Sequence, residues 1–333
     1  MGNEKRILVI GEIDQKSGLT SLTKEILGGA TKLADELCGS IDLLLIAAKN
    51  DTHQLQWASN YRGVDKVYIA AWPGITIFDC EAITAAASDI CKKSQPVLCL
   101  IGQTDLGRDI APRLAARLDA GLCMDCTDVK YEQEQNRFIQ TRPAYGGKAM
   151  AVFASTSGRL QIDTVRSKSM SPMSVQEVHT GDKIILSVES QHPSKVRLLH
   201  CETVQEEGIR LEDAKIIVAG GGGLGIKGFE IIGELAHILN AAIGATRVPV
   251  DEKWVPHHME IGQTGKIVSP ELYIAIGISG ATQHITGCLG SQKIVAINKD
   301  PDANIFKVAD YGLVADYKEV LPVLIDQLKK KLS

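Results

Sequence analysis

The sequence predicts an α/β protein of two domains, each built on a mostly parallel sheet flanked by helices. Three observations predict it. Short apolar runs alternate with helix-period patterns, the alternation breaks and restarts beyond residue 205, and a glycine-rich turn opens the restart. A length of 333 residues accommodates two domains of roughly 100–200 residues each.

In the first half, "RILVIGEI" (6–13), "DLLLIAAK" (42–49), "KVYIAA" (66–71) and "PVLCLIG" (96–102) read as strands apolar on both faces. Strands of a parallel sheet covered on both sides read this way. Helical patterns lie between them at 19–38, 53–61 and 79–92, and another at 107–121 carries Ile110, Leu114 and Leu118 at four-residue spacing. The period then changes. "CTDVKYEQ", "RFIQTRPAY", "KAMAVFAST" and "LQIDTVR" predict a small antiparallel β appendage, with turns such as "TSGR" (156–159). A Ser-, Pro- and Gly-containing stretch over 168–195 leads to a strand, "VRLLHCETV" (196–204).

The charged stretch "QEEGIRLEDAK" (205–215) marks the boundary, giving domains 1–206 and 207–333. Beyond it come a strand at 215–219, a helix over 226–241, strands at 272–277, 293–299 and 311–315, a short helix from 281, and a final helix over 317–331. Phe229, Ile232, Ala236 and Leu239 form one stripe of the first of these helices. This second sheet is expected to be doubly wound.

Composition narrows the function classes. The 36 basic and 40 acidic side chains give a net charge of −4, which creates no field for nucleic acid or anionic lipid. No apolar run reaches the roughly 18 residues of a membrane span. The opening "MGNEKRILVIGEI" shows a strand pattern without a signal-peptide core, and the 8 scattered cysteines suit free thiols in a reducing cytoplasm. Cys123 and Cys126 form C-x-x-C, a spacing that lets two thiolates meet for redox or metal chemistry. Without a second pair or a nearby His, two small core residues are the simpler reading. His257, His258 and Glu260 invite a metal site, but adjacent histidines project differently, and a surface loop is expected.

The glycine run "VAGGGGLGIKGFEII" follows a strand and opens a helix. Gly220, Gly222 and Gly225 satisfy G-x-G-x-x-G, which serves either a tight βα turn or a phosphate site. In a doubly wound sheet, ligands sit beyond the carboxyl ends of the strands. Thr246 and Arg247, Ser279 and His284, Asn298 and Asp300, and Asp316 all follow such ends. Each alone suits a cap or turn; together they point to a dinucleotide site. A Ser279–His284–Asp316 hydrolase triad lacks the G-x-S-x-G elbow. A stand-alone nicotinamide-dinucleotide-dependent dehydrogenase is the alternative, and it requires an acidic ribose ligand about 20 residues past the fingerprint. Asn240 and Thr246–Arg247 stand there, with Asp251 late. A nucleotide-binding regulatory module without redox chemistry is a third class.

"GATRVPVDEKWVPHHMEIGQTGKIVSPELYIAIGISGATQHITG" followed by "KIVAINKDPDANIFKVADYGLVAD" resembles the large (alpha) subunit of electron transfer flavoproteins. In the first half, "GRDIAPRLAARLDAGLCMDCTDV" and "TRPAYGGKAMAVF" resemble the family's blocks more loosely. The resemblance implies FAD on the C-terminal domain and a smaller beta subunit as partner. It places Arg247 and the hydroxyl of Thr246 near the flavin, and Gln263 and Thr264 of the G-Q-T-G turn, which ends in Gly265, on its N5/O4 edge. His284 would lie beside O2. Ser279, Gly280, Ala281, Thr282 and Gln283 would line the phosphate and ribitol path, with Asn298, Lys299 and Asp316 at the adenosine end. One departure stands out: Gly222 occupies a position where the family commonly has arginine. The resemblance further implies electron exchange with an acyl-CoA dehydrogenase. The chain would be either a simple carrier toward a quinone reductase or part of an NADH-oxidising, electron-bifurcating system with ferredoxin; the thiol-rich composition favours the second. Thus an electron carrier is expected, with no catalytic acid, base or metal ligand.

Overall fold

The computed structural model describes residues 5–14, 18–48, 63–72, 79–145, 149–155, 158–173, 182–186, 199–200 and 208–332. The helix expected over 53–61 lies outside them, as does the strand expected over 196–204 apart from residues 199–200. The chain forms two compact units: residues 1–144 with 149–202, and 203–333 with 145–148.

The first unit carries β1 (Arg6–Gly11), β4 (Ser40–Ala48), β5 (Val64–Trp72), β6 (Leu98–Gly102), β7 (Gly121–Cys126), β11 (Gln161–Val165) and β12 (Asp182–Leu186). These make one seven-stranded sheet in the order β12-β5-β4-β1-β6-β11-β7, and every pairing is parallel. Between β1 and β4 lie a two-stranded ribbon, β2 (Ile13–Asp14) with β3 (Gly18–Leu19), and α1 (Ser21–Leu37). Ile26, Leu27, Ala30 and Leu33 of α1 pack with Ile7, Val9, Leu43 and Leu45 on one face of the sheet. On the other face, α2 (Cys80–Ser94) and α3 (Asp105–Leu118) bring Ile83, Ala87, Ile90, Ile110 and Leu114 against Leu8, Ile10, Leu44 and Ile101. Burial of both faces explains the uninterrupted apolar strands.

A three-stranded antiparallel sheet joins β8 (Asp128–Glu132), β9 (Arg137–Ala144) and β10 (Ala149–Ala154). The expected appendage is therefore smaller than its sequence pattern. "LQIDTVR" leaves it and becomes β11, inserted between β6 and β7 and buried along its whole length. Its alternating polar side chains imitate a half-exposed strand, but they are themselves buried and bond to other side chains of the fold. Asp163 accepts hydrogens from Gln140 at 3.2 Å and Gln161 at 2.6 Å, and Thr164 donates to Gln103.

The second unit has one five-stranded parallel sheet in the order β14-β13-β15-β16-β17. Its strands are β13 (Ile216–Gly220), β14 (Ala242–Ala245), β15 (Leu272–Ile276), β16 (Lys293–Asn298) and β17 (Tyr311–Val314). Its helices are α4 (Gly225–Leu239), α5 (Arg247–Asp251), α6 (Thr282–Cys288) and α7 (Tyr317–Leu332). Ile232, Leu235 and Ala236 of α4 pack with Leu321 and Ile325 of α7 on one face, over Val218, Ile274 and Ile276. The other face is covered by Ile261, Val268 and Ile278 from loops, with Cys288 of α6 and Ile305.

Candidate functional site

All five strands of the second sheet run in one direction, so their carboxyl ends form one rim. At a strand spacing near 4.8 Å, the rim from β14 to β17 spans about 19 Å, a length suited to an extended ligand. The groups arriving there are Gly221 and Gly222 after β13, Thr246 and Arg247 after β14, Ser279 after β15, Asn298 at the end of β16 with Lys299 after it, and Asp316 after β17.

The helix starts distinguish this rim. Among the described residues of the first unit, α1, α2 and α3 each have a side-chain cap: Thr20 accepts from the Thr23 amide at 3.2 Å, Asp79 from Ala82 at 3.3 Å, and Thr104 from Gly107 at 3.0 Å. In the second unit α4, α5 and α6 follow Leu224, Thr246 and Ala281, none of which makes a side-chain cap. No side chain therefore competes with an anion at these starts, where the helix dipole adds to the attraction, although the His284 amide of α6 already donates to the Ala281 carbonyl at 3.0 Å. Only α7 is closed, where Asp316 Oδ1 accepts from the Lys318 amide at 2.9 Å.

The glycine loop lies flat against the end of β15. Gly221 donates to Ile276 at 2.9 Å and Gly223 to Gly277 at 3.2 Å; a Cβ at Gly221 would stand 2.2 Å from the Gly277 carbonyl oxygen. At Gly222 the backbone has no positive φ, and a Cβ would meet only the Val248 side chain, at 3.2 Å. A side chain is sterically possible there. Gly280 does need to be glycine, because its φ is 81° and a Cβ would lie 2.1 Å from the Ile305 nitrogen.

Arg247 is exposed and pairs with Asp251 through Nε at 3.1 Å. The 262–265 turn is stapled to α6, since the Gln263 amide donates to the Gln283 carbonyl at 2.8 Å. Gln263 and Thr264 are exposed on this turn, and Ala281, Thr282 and Gln283 are exposed at the start of α6. Thr264 Oγ1 donates to Glu260 Oε1 at 2.6 Å. Asn298 is committed to the scaffold: Nδ2 donates to Ile278 at 2.8 Å and Oδ1 accepts from the Asp300 amide at 3.0 Å. Lys299 is exposed.

His284 is buried. Nδ1 lies 2.8 Å from the Ile261 carbonyl, and Nε2 lies 3.0 Å from the Tyr273 hydroxyl. A carbonyl only accepts, so Nδ1 carries the hydrogen. Burial pushes the imidazole pKa down to about 4, so the ring is neutral and Nε2 accepts from Tyr273. As arranged, Nε2 offers a ligand no hydrogen. Instead, the ring ties α6 to the residue preceding the 262–265 turn.

Sequence reasoning missed Gly221, Gly277 and Tyr273 as builders of the rim, and it read Glu260 only beside two histidines. Glu260 is in fact buried under the turn, while His257 is exposed with Nε2 3.5 Å from Glu260 Oε2. Among the described residues no cluster of three His, Cys, Asp or Glu could hold a metal. Cys123 and Cys126 are buried free thiols in one core layer. A register shift beside Asp125, whose φ is 64°, puts both on the same side of β7. Among the described residues no helix is long and apolar enough to cross a membrane.

Fold and rim together define an α/β protein whose second sheet offers one open edge to an extended ligand. Residues 7–190 match the Electron transfer flavoprotein domain, and residues 210–289 match the Electron transfer flavoprotein FAD-binding domain. The chain belongs to the electron transfer flavoprotein family, among its alpha subunits, and its cofactor is FAD. It is 40% identical over 333 residues to the electron transfer flavoprotein subunit alpha of Thermoanaerobacterium thermosaccharolyticum, covering 99% of both chains. It is 37% identical to the alpha subunit of Megasphaera elsdenii, over 98% of this chain and 97% of the relative. The subunit LctC of lactate dehydrogenase (NAD(+),ferredoxin) from Acetobacterium woodii is 35% identical, over 92% of this chain and 73% of its own length. Alpha subunits of this family pair with a beta subunit.

Proposed function

We propose that the chain holds and tunes one FAD on a domain spanning residues 207–333, and that with its beta subunit it exchanges electrons with an acyl-CoA dehydrogenase in the cytoplasm. The observation that carries the proposal is the set of uncapped starts of α4, α5 and α6 along one rim, beside an exposed Arg247. Flavin supplies one- and two-electron exchange. The chain's own residues bind and bias it. The amides at Gly222, Thr282 and Gln283 face the diphosphate, and Ser279, Gly280 and Ala281 bound its path. Gln263, Thr264 and Gly265 meet the N5/O4 edge. Arg247 and Thr246 offset negative charge gained on reduction; a planar guanidinium does this directionally. His284 acts through the Ile261 carbonyl to position the 262–265 turn, and Lys299 meets the adenosine end. Asn298 and Asp316 shape that end, having committed their own side chains to Ile278 and Lys318.

Within this reading we favour the NADH-oxidising, electron-bifurcating form with ferredoxin over a simple carrier toward a quinone reductase. The support is the likeness to LctC, whose enzyme is named for NAD(+) and ferredoxin. Co-expression with the beta subunit tests both levels. A yellow heterodimer with two FAD that oxidises NADH is the expected result. One FAD without NADH oxidation indicates the simple carrier, and a colourless heterodimer sinks the reading.

A further inference from the structure

Glu260 is a carboxylate only 4% exposed, folded beneath the 262–265 turn. A Cβ at Gly265 would stand 2.4 Å from the Glu260 carbonyl oxygen, so the turn rests directly on this residue. The Lys266 amide donates to the same carbonyl at 2.7 Å, closing the turn over it. Its Oε1 receives the hydroxyl hydrogen of Thr264 at 2.6 Å. A hydroxyl has one hydrogen and two lone pairs. With that hydrogen on Glu260, Thr264 shows the rim only lone pairs.

We infer that Glu260 is a positioning residue that makes Thr264 an acceptor-only contact, and that it thereby sets the two one-electron potentials of the flavin in opposite directions. The inference rests on the reading above, in which Thr264 meets the N5/O4 edge. Oxidised N5 and O4 are acceptors, so they gain nothing from Thr264. The first electron arrives without a proton and adds negative charge near a buried carboxylate, which opposes it. The second arrives with a solvent proton that comes to rest on N5. That N–H is the first donor Thr264 can accept from. Glu260 therefore lowers the first-electron potential and raises the second.

The test is a stepwise dithionite titration of the FAD-loaded heterodimer carrying E260Q, T264V or both. A glutamine keeps the volume, removes the charge, and can donate to Oγ1, which turns the Thr264 hydrogen outward. E260Q should raise the first-electron equilibrium constant and lower the second, each about tenfold, or about 59 mV for one electron. In the T264V background the second-electron shift should vanish while the first remains. An unchanged second potential in E260Q, or an equal shift with and without Thr264, overturns the inference. So does loss of FAD from an E260Q protein that melts normally, because the freed hydrogen should tighten oxidised FAD. If E260Q melts early, T264S must keep both wild-type potentials while T264V lowers the second; identical behaviour of the two overturns it. A wild-type heterodimer without flavin overturns the underlying reading, and this inference falls with it.

Discussion

Tyr273 donates its phenolic hydrogen to Nε2 of His284 at 3.0 Å, inside a layer where both side chains are buried. The Ile261 carbonyl fixes the tautomer that lets Nε2 accept, and burial holds the ring neutral. Because the imidazole pKa falls from 6.5 to about 4 on folding, the unfolded chain takes up the proton first. Stability from this group is complete above pH 6.5 and declines as pH falls toward 4, by roughly 3 kcal/mol in all. His284→Asn should flatten that slope in denaturant titrations of the second unit. Tyr273→Phe should cost about 1–3 kcal/mol by leaving Nε2 without its donor.

Asp163 has the opposite sign. Burial raises its pKa from 3.8 to about 7, so the folded protein binds the proton more tightly than the unfolded chain. Stability is greatest below pH 3.8 and is lost as pH rises through 7. Asp163→Asn should remove this slope and leave the first unit more stable than wild type above pH 7. Melting temperatures across that range test it. A variant less stable than wild type above pH 7 would mean that the Gln140 and Gln161 bonds to the carboxylate outweigh the cost of its burial.

Threonine caps should separate scaffold from site. Thr104→Ala removes the donor-satisfying oxygen of α3, and it also removes the Glu12 partner at 2.5 Å, so a loss of about 1–2 kcal/mol is expected. Thr246→Ala removes no cap, so stability should change by less than about 0.5 kcal/mol while FAD affinity weakens. Denaturation and FAD titration on both variants give the comparison. Similar stability losses would contradict it.

Arg247 spends part of its charge on Asp251. Asp251→Asn should therefore raise the first-electron potential, and Arg247→Lys should lower it. Gly222→Arg should raise it and partly rescue Arg247→Lys, since the backbone there is compatible with a side chain. Each change is of order 1 kcal/mol, the scale of a partly exposed charge pair. Spectroscopic redox titration with FAD content measured in parallel decides it; wild-type potentials in Arg247 variants would end the electrostatic account.

Apolar runs without alternation at 6–13, 96–102 and 272–277 announced buried parallel strands, because burial on both faces leaves no room for a polar period. The same logic missed β7 and β14. "GLCMDC" mixes polar and apolar residues around a bulge, and "AIGA" is too short and small-sided to stand out. It also sent β11 to the wrong sheet, because Gln161, Asp163 and Thr164 look solvent-facing until Gln140 and Gln103 arrive from elsewhere in the chain.

The rim itself was legible, as polar residues placed just after strands. What each side chain does there was not. Thr104 and Thr246 both stand between a strand and a helix, and local sequence treats them alike. Only the folded chain turns Thr104 onto the Gly107 amide and leaves the start of α5 open. Sequence by itself determined the strand–helix alternation, the two parallel sheets and the family. Tertiary structure decided which hydrogen-bonding groups are already spent, because that depends on partners brought together across 11 residues for Tyr273 and His284, and across 92 for Glu12 and Thr104.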